Sequence, residues 1–198
     1  FRFLGFKKKP NAPWSKYYQK KDMNLSIPDI SLYDNFLNSM KKYPNHNAID
    51  YFGTKITYKD LASKVDLCAK AFLSYGIRKN DVVTICMPNT PEGVISFLAL
   101  NKIGAISNMI HPLASMNEIK NDLTETGSVM MVLIDVDYEK IKDIMNDTEV
   151  YKIIIVRASD SMPFLMKIGY NLTAGKKTLL PKKNSKYISW HEFMKNAD

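Results

Sequence analysis

An α/β fold, with a parallel sheet covered by helices on both faces, is the architecture this sequence predicts. Three observations carry it. Short apolar runs and helical-period stretches alternate along residues 57–156. The strand candidates at 82–87 and 129–134 are nearly all apolar, as strands buried on both faces must be. The helix candidates between them open on capping residues and close on Gly76, Gly104 and Gly127. With 198 residues, 45% of them hydrophobic and 24% charged, the chain can bury a sizeable core.

Residues 1–47 read as an N-terminal arm and a first helix, and residues 48–198 as the α/β unit. Residues 1–30 are basic, aromatic and punctuated by proline, with Trp14, Tyr17 and Tyr18 expected to anchor them on the main body. Residues 31–43 place Leu32, Phe36, Leu37 and Met40 at a helical period. Residues 48–52 and 55–57 read as two strands around a Gly53-Thr54 turn, because a Gly-X pair favours a two-residue hairpin. Thr57-x-x-Asp60 is a capping box with Asp in place of Glu. It opens a helix with Leu61, Val65, Ala69, Phe72 and Leu73 on one face, ending at Gly76. Thr90-Pro91-Glu92 supplies a cap, a proline for the first turn and an acid for the positive dipole end, and that helix ends at Gly104. Residues 105–110 form the next strand. Ser115-x-x-Glu118 is a second capping box, with a helix to Gly127. A helix over 137–145 and a strand over 151–156 continue the alternation. Residues 158–186 break it. They read as an insertion, one amphipathic helix and a basic loop, packed against the body in preference to lying on a membrane surface. Residues 187–190 return to a strand and 191–195 to a short helix.

The net charge of +8 is concentrated in Lys7, Lys8 and Lys9 and in Lys176, Lys177, Lys182, Lys183 and Lys186. No nucleic-acid module accompanies these runs, so solvated faces are expected and no nucleic-acid partner. Cys68 and Cys86 fall in a helix and a buried strand, too few for a disulfide framework. No apolar run approaches a membrane span. Together these features lead us to expect a cytoplasmic protein with reduced thiols.

Several site classes are excluded by spacing. No two of the eight glycines are closer than six residues, so neither a dinucleotide fingerprint nor a Walker-type phosphate loop is present. His46, His111 and His191 are far apart, no His or Cys pair has metal-ligand spacing, and no metal site is expected. In an open parallel sheet, ligands gather beyond the carboxyl ends of the strands. Met87-Pro88-Asn89-Thr90 sits there and opens a helix, so its free N–H groups would face an anion, unless Thr90 simply caps them. Ile110-His111-Pro112-Leu113 follows the next strand. Asn89, Thr90 and His111 are therefore the candidate cofactor-binding residues. The competing reading of His111 is a loop histidine satisfied by backbone.

One ordered set of motifs spans residues 56–112. It runs Ile56-Thr57-Tyr58-Lys59-Asp60-Leu61, Gly76-Ile77-Arg78-Lys79-Asn80-Asp81-Val82-Val83, Pro88-Asn89-Thr90-Pro91-Glu92, Lys102-Ile103-Gly104-Ala105 and His111-Pro112. In this order and spacing it resembles the N-terminal part of the adenylate-forming superfamily. That superfamily includes acyl- and aryl-CoA synthetases, luciferase and peptide-synthetase adenylation domains. Asn80 stands where the family pattern has a second glycine. The His-Pro step leans toward an acyl-CoA synthetase. The resemblance implies an enzyme that activates a carboxylic acid, fatty or aromatic, with ATP and Mg²⁺ as acyl-AMP and then forms a thioester with CoA. It implies further that the phosphate loop, the ribose-binding Asp and the C-terminal domain lie outside residues 1–198. No catalytic residue is then expected in this chain. By itself it is expected to be inactive, to bind these cofactors weakly and to self-associate through the face that meets the rest of its polypeptide. The alternatives are an adenylation domain that loads a carrier protein, and a non-catalytic α/β interaction module.

Overall fold

Five consecutive buried residues, Met130–Ile134, form the middle strand of a five-stranded parallel sheet. The computed structural model describes residues 13–19, 28–173, 175, 178, 180–181 and 186–197. Residues up to Ile30 and residues from Ser31 onward form two separate units. In the first, Pro13–Tyr17 makes one 3-10 turn. Trp14, Tyr17 and Tyr18 are exposed in it. Lys7, Lys8 and Lys9, and most of the expected basic loop after residue 173, lie outside the described residues.

In the second unit the order is α1 (Leu32–Lys42), β1 (Asn47–Tyr51), β2 (Thr54–Thr57), α2 (Tyr58–Ser74), β3 (Val82–Cys86), α3 (Pro91–Ile103) and β4 (Ile106–Ile110). There follow α4 (Met116–Thr126), β5 (Met130–Ile134), α5 (Tyr138–Ile141), β6 (Lys152–Val156), α6 (Phe164–Leu172), β7 (Tyr187–Ser189) and α7 (Trp190–Lys195). β1 and β2 form the expected antiparallel hairpin. Its turn is Phe52-Gly53, one residue earlier than Gly53-Thr54. Both residues adopt positive φ, 51° and 87°, and Gly53 N–H bonds to Asp50 Oδ1 at 3.0 Å. Two left-handed residues in succession match the right-handed twist of the flanking strands.

The large sheet runs β4-β3-β5-β6-β7 with every pair parallel. Alternate side chains divide it into two cores. Val83, Ile85, Met130, Val132, Ile134 and Ile154 meet α2, α3 and α7 on one face. Cys86, Met131, Leu133, Ile153 and Ile155 meet α4 and the segment after β5 on the other. On the first face Phe72 and Phe193 are fully buried and meet edge-on at 4.9 Å. On the second, Thr84 Oγ1 and Ser128 Oγ share a hydrogen bond of 2.7 Å, and Asn108 donates to Thr84 and to Asp122 at 3.0 Å. This chain of polar groups fixes α4 over the edge strand.

Each cap behaves as its residue type requires. Thr57 Oγ1 accepts from Asp60 N–H. Asp60 returns the contact to the Thr57 hydroxyl at 2.7 Å instead of its backbone, so only half of a capping box forms. Ser115 and Glu118 form the full reciprocal box. Asp135–Asp137 and Met145–Asp147 are 3-10 turns on either side of the four-residue α5, so the helix expected over 137–145 is broken. α6 is present within residues 158–186, but none of its own residues is buried.

The turn into β3 depends on Asn80, at φ 72°, whose N–H bonds to Gly104 O at 2.9 Å. Gly104 is itself at φ 74°, with Lys79 Cγ 3.1 Å from the place of a Cβ. Asparagine is the side-chain-bearing residue best suited to this backbone. Asn80→Gly is therefore expected to hold stability within about 0.5 kcal/mol, and Asn80→Val to lose about 1–2 kcal/mol. Urea unfolding midpoints check both; equal losses would mean the left-handed backbone is not what matters.

Candidate functional site

The strand order places β3 as the first parallel strand, β4 on one side of it and β5 on the other. The connection leaving β3 runs through α3 over one face, and the segment leaving β5 runs under the other. Chains diverging in this way open a crevice beyond the strand ends, at the switch point of the sheet. A cleft of about 720 Å³ lies there. Its walls are Met87, Pro88 and Asn89 after β3, Met109 to Leu113 at the end of β4, and Ile134, Val136 and Asp137 after β5.

Of the three residues singled out in the sequence, the structure brings two together. Asn89 and His111 both line the cleft. His111 Nδ1 accepts from Leu113 N–H at 3.1 Å. A neutral imidazole with Nδ1 accepting carries its proton on Nε2, so the ring presents one donor. The backbone contact expected of a loop histidine is thus present, and among the described residues the other ring nitrogen has no hydrogen-bond partner. Thr90 is not in the lining. It is 4% exposed, caps α3, and accepts from Gly93 N–H at 3.3 Å.

The N-terminus of α3 keeps no amide for a ligand in its first turn. Pro91 has no N–H, and Gly93 gives its own to Thr90. The Glu92 carboxylate accepts from the Ser161 hydroxyl, and the nearby Glu92 amide and Thr90 hydroxyl also favour its charged form. Burial pushes the Glu92 carboxyl above the usual carboxylate range, and the Ser161 hydrogen bond pulls it part of the way back. The positive end of the helix dipole is thus met by an internal acid.

Asp137 is the residue the sequence reading missed. It lies three positions beyond β5, and the rule used for β3 and β4 would have found it there. Its residue is 9% exposed, and its Oδ2 has no hydrogen-bond partner among the described residues. Burial raises its carboxyl above the ordinary value, and Lys140 at 3.6 Å offsets only part of that. Lys140 also donates to Pro112 O at 2.6 Å, tying the loop after β4 to α5. Cys86, at the end of β3, has its thiol pushed up to about 12 by burial. It is therefore no nucleophile at neutral pH. Lys102, from the Lys-x-Gly-Ala motif, is away from the cleft. It pairs with Asp66 of α2 and lies 5.2 Å from the Tyr33 ring.

The cleft is thus an apolar trough with two neutral polar groups, Asn89 and His111, and one buried acid. A carboxyl whose folded pKa is raised costs stability above that pKa, and the cost vanishes below the unfolded value of about 4. Asp137→Asn is therefore expected to stabilise the protein by on the order of 1 kcal/mol at pH 7. The gain should fade as pH falls toward 4. Thermal melts of both proteins across that window check it; a gain that persists at low pH would point to packing instead of charge.

Comparison with known proteins agrees with the fold and the motifs. Across 84% of its length the chain is similar to the coronafacic acid ligase of Pectobacterium brasiliense, with a TM-score of 0.67, 18% identity and 29% of that chain covered. It is similar in sequence to the long-chain-fatty-acid–CoA ligase of Bacillus subtilis, 26% identical over 83% of this chain and 30% of that protein. It is also similar to the acetyl-coenzyme A synthetase of Paraburkholderia phymatum, 31% identical over 63% of this chain and 19% of that protein. The chain spans between about a fifth and a third of the length of these relatives. The family model of the AMP-binding enzyme matches residues 36–185, three-quarters of the sequence, and the chain belongs to that family.

Proposed function

We propose that residues 48–198 form the N-terminal α/β subdomain of an ATP-dependent, AMP-forming acid–CoA ligase. Its reaction joins a carboxylic acid to ATP, giving acyl-AMP and pyrophosphate, and then transfers the acyl group to the thiol of CoA. The observation that carries this reading is the cleft at the switch point, in a chain whose relatives include CoA ligases for long-chain fatty acids and for acetate.

The cleft suits the organic acid better than the nucleotide. Its walls of Met87, Met109, Ile110, Leu113, Ile134 and Val136 fit a hydrocarbon chain or a ring. A fatty or aromatic acid is the substrate this favours. Asn89 and the Nε2–H of His111 are neutral donors suited to a carbonyl oxygen. A triphosphate with Mg²⁺ does not fit the same place. No lysine or arginine is among the described residues that line it, the α3 amides are taken, and Asp137 adds a negative charge. We therefore assign ATP and Mg²⁺ to groups outside residues 1–198. The resident partners of this unit are then the carboxylic acid and the rest of its own polypeptide.

Two outcomes are expected. In the full-length enzyme, fatty or aromatic acids drive exchange of labelled pyrophosphate into ATP, and His111→Ala raises KM for the acid about tenfold with a smaller change in kcat. Exchange that responds to amino acids and requires a carrier protein would instead favour the carrier-loading reading. No response to any acid would favour the non-catalytic module. Residues 1–198 alone should show no ATP binding by calorimetry at micromolar concentrations. Micromolar affinity would overturn the assignment of the nucleotide to other parts of the enzyme.

A further inference from the structure

α6 is inside out. Helical geometry turns 100° per residue, so Phe164, Ile168, Leu172 and Leu165 share one side. In a packed helix that side would face the core. Here Phe164 is 76% exposed, Leu165 80%, Ile168 42% and Leu172 60%. Polar groups beside and opposite that stripe make the contacts with the body. Asn171 Oδ1 accepts from Ser159 Oγ at 3.3 Å, Lys167 Nζ lies 4.0 Å from Asp160, and Tyr170, centred opposite the apolar stripe, is partly buried. The turn that delivers the helix is itself anchored. Ala158 N–H bonds to the buried Asp135, and Ser161 bonds to the buried Glu92. The apolar stripe is thus held outward by a built attachment.

We infer that α6 is an interfacial helix that lays this stripe into an anionic lipid surface. Charge selects that occupant. Between Arg157 and Lys186 the sequence has seven basic residues, Arg157, Lys167, Lys176, Lys177, Lys182, Lys183 and Lys186, against the one carboxylate of Asp160. That excess is most of the +8 net charge, and in the sequence it falls within the thirty consecutive residues that include α6. An apolar stripe covered by another protein surface needs no such field, whereas anionic headgroups attract it. No helix among the described residues is long and apolar enough to cross a membrane, so attachment of this kind is peripheral. The inference does not depend on which acid the cleft takes.

Sedimentation of the purified protein with lipid vesicles tests it. Binding is expected to vesicles of phosphatidylcholine with about one-third phosphatidylglycerol, and much weaker binding to phosphatidylcholine alone. Leu165→Glu should lower partition onto the anionic vesicles about tenfold or more, and raised salt should weaken it. Leu165 is so exposed that the substitution leaves the fold intact, which circular dichroism checks. In Leu165→Trp, fluorescence should shift to the blue when anionic vesicles are added. Absence of pelleting, equal binding to neutral vesicles, or binding untouched by Leu165→Glu would each overturn the inference. Self-association that Leu165→Glu abolishes, without vesicle binding, would assign the stripe to a second copy of the chain and overturn it as well.

Discussion

Every residue of the middle strand is buried, and the rest of the unit follows from that constraint. A parallel strand pairs its backbone with both neighbours and can show neither face to water. Met130, Val132 and Ile134 must therefore be covered from one side, and Met131 and Leu133 from the other. Helices alternate between the faces to do this. The crossovers leave the strand ends open, which is why the apolar cleft forms at the carboxyl edge. Asn89, His111 and Asp137 meet there although they come from three separate loops.

The same burial decides the electrostatics of the site. Glu92 and Asp137 are both acids driven toward their neutral forms by lost hydration. They are managed differently. Glu92 takes the Ser161 hydroxyl, with its own amide and the Thr90 hydroxyl close by. Asp137 has a cation 3.6 Å from one oxygen and, among the described residues, no partner for the other. A group left in that condition raises local cost unless something else meets it, and functional sites are where such costs persist. The helix terminus, by contrast, has been closed by its own side chains.

Much of this was legible in the residues. The alternation of 3.6-residue and strand-like patterns located α1 to α4, β3 to β6 and the return to β7 and α7, because the burial of each face writes itself directly into that period. Capping residues fixed the helix starts. The misses have separate physical causes. The hairpin turn fell on Phe52-Gly53 because cross-strand register outweighs the reluctance of phenylalanine to adopt positive φ. The segment 135–147 carries Asp135 and Asp137 in its first turns, whose side chains reach the backbone of neighbouring loops and a lysine, and a long helix did not form. α6 has the pattern of a core helix, and pattern alone does not say which phase the apolar side meets. At the site, Asn89 and His111 were visible from their place after a strand. Thr90 was equally visible but was consumed by its helix, and burial, the property that separates the two fates, has no signature at a single position.

The two cores share the sheet and little else, and they are unequal. Among the described residues, the cluster under α2, α3 and α7 holds about twice as many buried apolar side chains as the cluster under α4 and α5. The thinner layer also contains the broken helix and the chain of polar groups from Thr84 to Asp122. Local opening is cheapest where the least apolar surface is released. Backbone amides of α4 and of residues 135–147 should then trade their protons for solvent deuterons well before those of α2 and α3. The wall of the cleft that carries Asp137 belongs to that softer layer, while Asn89 is held by the harder one. One side of the trough can thus yield to the shape of a bound molecule while the other keeps its place.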